Sequence, residues 1–297
     1  MNFNKVNNYK TTEIKVKGGY DFPKYKTTGD NSFFLGIIGG TRNAGKSTMI
    51  LNLIDIEKDI MLHGKNKVYF ISPTADAKVK SFAEKYPDNF EIVPELTKGN
   101  VKKVLDSIEQ CLRDWRELLI LSKIIKKFHK GKEPLTDDEL QLLEVHNFGE
   151  TDELKGFNDK HPPISTMVVD DSAVSPLISQ AQSRDGKYFL QFVIRHRHPP
   201  YYCNIFILTQ HLKLVMRPIR VNCNMVVIFP FRDASIYESV FKEYSTLFNN
   251  KVENFLNIMS EIESRDNHSY CVIYYDKVRF VRINLDENVT FDNKDDK

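Results

Sequence analysis

The chain has few cysteines and no charge surplus to speak of, and it lacks long apolar runs. Its four cysteines, Cys111, Cys203, Cys223 and Cys271, form no C-x-x-C pair and show no metal-ligand spacing. That excludes a disulfide scaffold and a zinc site, and it fits reduced thiols in a cytosol-like compartment. The opening stretch, MNFNKVNNYKTTEIKVKGGY, contains no apolar signal core, and no later run has the length that crosses a bilayer. A protein that is neither secreted nor membrane-spanning is expected. Internal repeats and low-complexity tracts are absent, so repeat architectures drop out. With 42 Lys and Arg against 40 Asp and Glu, the net charge of +2 does not by itself imply a nucleic-acid partner. What is present, 297 residues of which 41% are hydrophobic and 28% charged, reads as a soluble globular chain long enough for one large core or one core plus a small appendage.

Short β-rich runs alternate with longer helical periods, which predicts an α/β fold with a mainly parallel sheet flanked by helices. Strands are expected at Phe33–Ile38, Val68–Ser72, Phe90–Val93, Thr166–Asp170, Asn204–Thr209 and Met225–Phe229. Val101, Val104, Leu105, Ile108, Leu112, Trp115 and Leu118 recur at helical spacing, so 99–128 reads as an amphipathic helix with Trp115 in its buried stripe. Thr136 and Glu139, after Pro134, have capping-box spacing and open a shorter helix within an insertion at about 130–163. Lysines 123, 126, 127, 130 and 132 could meet a phosphate backbone or simply be a solvated helix end. Residues 1–30 read as an N-terminal arm and 31–285 as one domain closing in a β-hairpin around Asp276 and Lys277. Residues 286–297 read as a flexible tail.

The informative stretch is GGTRNAGKSTMI at Gly39–Ile50, directly after the apolar run FFLGII. A strand that turns through glycines into a helix gathers backbone N–H groups and the positive helix end at one point, where phosphate binds. Gly40, four residues, then Gly45, Lys46 and Ser47 make the Walker A pattern in its confirming strand-to-helix context. Gly40 and Gly45 allow close backbone approach, Lys46 reaches the β- and γ-phosphates, and the Ser47 hydroxyl ligates Mg²⁺. The candidate nucleotide-binding residues are thus Gly40, Thr41, Arg42, Asn43, Ala44, Gly45, Lys46, Ser47 and Thr48.

A phosphate cradle needs a second source of carboxylate. ISTMVVDD, at Ile164–Asp171, describes a buried parallel strand whose carboxyl end delivers acids beside the cradle. Asp170 would hold the metal through water, and Asp171 would polarise the lytic water. The competing reading makes Asp171 and Ser172 the cap of a following helix. The next strand, NIFILTQ, ends in Gln210, a polar group able to report the γ-phosphate. Arg220, ten residues later, precedes another buried strand. It is a candidate arginine finger, as are Arg195 and Arg197 in VIRHRHPP, although single surface arginines are usually just solvated.

VVDD, RHRH, IFILTQ, IRVN and VVIFPFRD, in that order, resemble the genome-packaging ATPases of large nucleocytoplasmic DNA viruses, poxviruses and virophages, within the FtsK–HerA superfamily. The resemblance spans roughly Phe33 to Tyr244. It implies a RecA-like P-loop ATPase core that hydrolyses ATP with Mg²⁺. Subunits would assemble as a homo-oligomeric ring, a pentamer or hexamer, that threads double-stranded DNA into a capsid, with portal or vertex proteins as further partners. On this reading the catalytic residues are Lys46, Asp171, Gln210 and Arg220, the metal residues are Ser47 and Asp170, and the setting is host cytoplasm and virion. Two departures stand out: Pro199 and Pro200 lengthen the stretch after RHRH, and Asp171 stands where many related motors have glutamate. A ring multiplies the few basic residues of each subunit, so +2 is compatible with DNA.

Other classes fit less well. A GTPase needs N-K-x-D, and the nearest string, NKVE at Asn250–Glu253, lacks the aspartate. A small-molecule kinase needs neither Gln210 nor Arg220. A non-motor nucleotide-binding protein and a replication helicase remain as alternatives.

Overall fold

A computed structural model of the chain describes residues 20–130, 134–146, 157–171, 175–231, 233–265 and 268–290. Nine strands form one sheet in the order β3-β2-β4-β5-β1-β6-β7-β8-β9. These are β1 Leu35–Gly39, β2 Lys67–Ile71, β3 Phe90–Val93, β4 Ser165–Val169, β5 Cys203–Thr209, β6 Met225–Ile228, β7 Cys271–Tyr275, β8 Arg279–Ile283 and β9 Glu287–Val289. The pairings among β1 to β6 are parallel, and β6 to β9 continue antiparallel. β1, β4, β5 and β6 are buried at every position, which is why each reads as a mainly apolar run and not as an alternation of apolar and polar residues. The expected α/β fold with a mainly parallel sheet and a C-terminal hairpin is the fold observed.

Helices cover both faces. α1 (Lys46–Ile56), α2 (Lys58–Met61) and α3 (Ala77–Lys85) pack one side through Met49, Ile50, Leu53 and Val79 against Phe70 and Val168. α4 (Lys98–Lys130) covers the other side with Val101, Val104, Leu105 and Ile108, beside α7 (Arg184–Arg195). At 33 residues, α4 is about 50 Å long. Trp115 is 4% exposed and donates its indole N–H to the Asn158 carbonyl at 2.8 Å, so it is a core residue, as its spacing indicates. Beyond it, α4 pairs with α5 (Asp137–Val145) through Leu121, Ile124 and Leu143. The Thr136–Glu139 capping box is formed. Lys126 and Lys127 are engaged by Asp159 and Glu139, which favours the solvated helix end for this cluster; Lys132 lies outside the described residues.

Two boundaries differ from expectation. Residues 20–30 are not a free arm: Tyr25 is 2% exposed, its hydroxyl donates to Asn204 Oδ1 at 3.0 Å, and the buried Glu57 carboxylate accepts from the backbone N–H of Lys26 and Thr27. The aromatic content of this stretch gives it a hydrophobic footing that its polar neighbours hide. Residues 287–289 form β9 on the β8 edge, so the expected tail begins no earlier than Thr290. Residues 1–19 and 291–297 lie outside the described residues. All four cysteines are unpaired, and no helix among the described residues is long and apolar enough to cross a membrane.

Candidate active site

The sheet order brings three loops together. β4, β5 and β1 are adjacent and parallel, with Val169 beside Ile207 and Thr209 beside Gly39, so the chain leaves all three at the same end. This is where open α/β sheets bind ligands. Gly40 N–H donates to the Thr209 carbonyl and Phe229 N–H to the Gly39 carbonyl, which pins the loop after β1 to its neighbours.

Within that loop Asn43 has φ +62° and Gly45 φ +104° with ψ +11°. The latter lies beyond the left-handed region open to other residues, which is why glycine stands there. Gly40 meets a different constraint, since a Cβ would lie 2.8 Å from Phe229 Cβ. α1 starts immediately after Gly45 with no side chain capping its first turn. Its leading N–H groups and positive dipole end therefore face a cavity of about 620 Å³ instead of an internal acceptor.

Lys46 is 7% exposed and donates to the carbonyls of Gly40 at 3.0 Å and Thr41 at 2.9 Å. Burial pushes its ammonium below the usual lysine range, against the pull of Asp171 and Asp170. Asp170 follows β4, is 8% exposed, and is anchored by its N–H to the Ile71 carbonyl. Burial, then the Asp171 charge, push its carboxyl up to about 6, with Lys46 and the Ser47 hydroxyl acting the other way. The Ser47 hydroxyl donates to Asp170 Oδ2 at 3.4 Å. Asp171 is exposed, with φ +50°, and its Oδ1 accepts from Gln210 Nε2 at 3.0 Å. The next helix among the described residues, α6 (Pro176–Ser179), is capped by Ser175 and not by Asp171; residues 172–174 lie outside the described residues.

Arg42, Asn43, Gly45, Lys46, Ser47, Thr48, Asp170, Asp171 and Gln210 all border the cavity, while Gly40, Thr41 and Ala44 shape the loop behind it. The oxygen pair Ser47–Asp170 suits a hard cation. Mg²⁺ takes one or two protein oxygens and completes its shell with phosphate and water, and no cluster of three or more His, Cys, Asp or Glu ligands exists among the described residues.

The arginines fall elsewhere. Arg220 precedes β6 and ends α8 (Arg217–Arg220), a one-turn helix with Pro218 in its first turn, and it does not border this cavity. Its guanidinium pairs with Glu243 at 3.2 Å and donates to the Val215 and Lys213 carbonyls, holding the loop that follows Gln210. A role toward a neighbouring subunit's phosphate requires it to leave those partners. Arg195 and Arg197 flank His196, whose carbonyl accepts from Cys203 N–H at the start of β5, the opposite end of the sheet from Lys46. They cannot serve their own chain's cradle.

The cavity also has walls that the sequence reading passed over. On the α3 side are Thr74, Asp76 and Lys78; Asp76 caps α3, and Lys78 Nζ donates to Thr48 Oγ1 at 3.1 Å. On the far side are Phe229, His268 and Tyr270. No local signal marks these last three, because only the pairing of β6 with β1 and of β7 with β6 carries them to the loop.

No protein-family model matches the chain, and no curated protein matches it. Among solved structures it is similar to the genome packaging NTPase B204 of Sulfolobus turreted icosahedral virus 2 in complex with AMP, at 10% identity and TM-score 0.46 over 85% of this chain and 96% of that one. It is also similar to the pCW3 conjugation coupling protein TcpA, at 14% identity and TM-score 0.42 over 86% and 60%. A third similar chain is the cytoplasmic domain of the type VII secretion ATPase EccC of Thermomonospora curvata, at 9% identity and TM-score 0.41 over 85% and 26%.

Proposed function

We propose that this chain is an ATP-hydrolysing motor subunit that moves double-stranded DNA, packaging a viral genome into a capsid as one member of a ring. The observation that carries the hydrolytic part is a convergence. Positions 46–47, 170–171 and 210, far apart in sequence, meet at one cavity mouth with Ser47 bonded to Asp170 and Gln210 bonded to Asp171. The DNA and packaging part rests on the ordered motifs VVDD, IFILTQ and IRVN.

In this mechanism the uncapped first turn of α1 and the Lys46 ammonium bind the phosphates, and Lys46 exchanges the Gly40 and Thr41 carbonyls for phosphate oxygens. Ser47 and Asp170 would hold Mg²⁺, which neutralises charge on the β- and γ-phosphates when bound. Asp171 is the one solvent-facing carboxylate of the pair and accepts the proton of the attacking water. Gln210 orients that carboxylate and, being anchored to β5, links the state of the γ-phosphate to the loop at 211–215.

The test is ATP turnover with no DNA, single-stranded DNA and double-stranded DNA. Wild type should turn over fastest with duplex; Lys46→Ala should abolish turnover in a folded protein, and Asp171→Asn should bind ATP yet stall. Preference for single strands with strand separation would make it a helicase instead. Binding without turnover would make it a non-motor nucleotide-binding protein, and unchanged turnover in Lys46→Ala would remove the site.

A further inference from the structure

The cavity around the loop at 40–48 is asymmetric. The loop stands over β1; β5 and β4, with Gln210, Asp171 and Asp170, lie on one side of it, and β6 and β7 lie on the other. Chemistry at a terminal phosphate needs the carboxylate side. The remainder of a nucleotide then has two walls to choose from: the polar one on α3, with Thr74, Asp76 and Lys78, or the one built by Phe229, His268 and Tyr270. The latter is aromatic. Phe229 is 1% exposed and its ring centroid lies 4.9 Å from that of Tyr270 at an interplanar angle of 47°. Tyr270, in contrast, is only half-buried and borders the open cavity. His268 lies against the loop itself, with Nδ1 3.3 Å from the Ala44 carbonyl oxygen and the same distance from where a Cβ on Gly45 would sit.

We infer that Tyr270, backed by Phe229 and flanked by His268, is the stacking platform for the base of the nucleotide whose phosphates the loop binds. This rests on the phosphate-site reading above and adds a base subsite to it. The platform is held before any ligand arrives: Tyr270 N–H donates to Asn284 Oδ1 at 3.2 Å, and its carbonyl accepts from Asn284 N–H at 2.8 Å, just ahead of β7. A preorganised ring loses little entropy on binding. Burial pushes the Tyr270 phenol up to about 12, so the ring stays uncharged beside a polyphosphate at neutral pH. A cavity of about 620 Å³ lies within the range that holds small ligands and cofactors.

The experiment compares a non-hydrolysable ATP analogue with bare tripolyphosphate, by titration calorimetry on the full chain. Tyr270→Ala should bind the analogue roughly 5- to 150-fold more weakly, the range that one base–aromatic stack supplies, and bind tripolyphosphate as wild type does. Tyr270→Phe, which keeps the ring, should bind both as wild type does. If Tyr270→Ala does not fold, Tyr270→Leu replaces it, keeping bulk without the ring. Equal analogue affinity in wild type and the ring-less variant overturns the inference, as does equal weakening of both ligands. If wild type binds neither ligand, the phosphate site itself falls, an outcome distinct from loss of the base subsite alone.

Discussion

Gly45→Ala is the substitution that most directly tests whether the turn before α1 is a phosphate cradle. The native backbone there, at φ +104° and ψ +11°, lies well past the left-handed well, so an alanine forced to adopt it is strained by about 1–3 kcal/mol. Crowding adds little, because the new Cβ would stand 3.3 Å from His268 Nδ1 and 3.6 Å from Phe229 Cε1, contacts that a half-exposed ring can relieve by a few tenths of an ångström. A melting temperature lower by roughly 2–10 °C is expected for a chain of this size. The backbone escapes part of that strain by rotating toward negative φ, which swings the first N–H groups of α1 off the common point. Losing one charge-assisted N–H to phosphate bond is worth about 1.5–3 kcal/mol, or roughly 10- to 150-fold in tripolyphosphate affinity. Gly29 supplies the control: it has φ +69° with nothing within 4 Å of its Cβ position, so Gly29→Ala should lose stability and keep its affinity. Thermal denaturation with and without tripolyphosphate, together with calorimetry, reads both effects. If Gly45→Ala matches Gly29→Ala, losing stability while binding tripolyphosphate as wild type does, the left-handed turn is only structural and the cradle argument is wrong.

Two further predictions concern buried charge and Arg220. His196 is 4% exposed, donates Nδ1–H to the Cys203 carbonyl, and is pushed down to about 4 by burial, so the folded chain prefers it neutral. Between pH 6.5 and 4 the unfolded chain binds the extra proton, so stability from this group is complete above 6.5 and lost as pH falls, by about 2 kcal/mol at pH 5. Asp170, with its raised carboxyl, acts in the opposite direction over part of the same range, so the measurement is the difference in pH slope between wild type and His196→Asn; parallel stability curves would refute it. Arg220→Ala is expected to lower stability by about 1–3 kcal/mol, because it leaves Glu243 unpaired and frees the carbonyls of the loop at 211–215; an unchanged melting curve would contradict that. Mixing Arg220→Ala with Lys46→Ala measures any role in trans: restored turnover assigns the arginine to a neighbour's site, and no restoration leaves it as a support for its own loop.

The parallel strands were legible because of how they are buried. A strand covered on both faces has no solvent side to write as polar, so β1, β4, β5 and β6 appear as mainly apolar runs, and a glycine, an acid and an amide follow β1, β4 and β5. Of these, Asp170 and Gln210 border the cavity, and Gly40 opens the loop that carries Lys46 and Ser47 to it. α4 was legible for the matching reason, since one apolar stripe repeats over its length and ends in lysines. The capping box at Thr136 and Glu139 needs only three residues of separation and no tertiary context.

The remaining features depend on partners far away in sequence. Arg220 precedes a buried strand as expected, but RPIRVNCN is too short for any periodicity to separate a single helical turn from a loop, and its pairing with Glu243, 23 residues on, has no local signal. β9 is written in polar residues, and its strand character comes from the β8 edge it pairs with. The aromatic wall is the extreme case. Phe229 reads as the end of a core strand and lies just past β6, and Tyr270 lies just ahead of β7. They stand together only because β6 lies on β1 and β7 lies on β6, which sets residues 268–270 beside a loop more than 220 positions earlier. A pattern of residues can announce a phosphate site, since phosphate is bound by contiguous backbone. A base is bound by whatever surface the topology brings alongside, so the half of the site that contacts it has no local spelling.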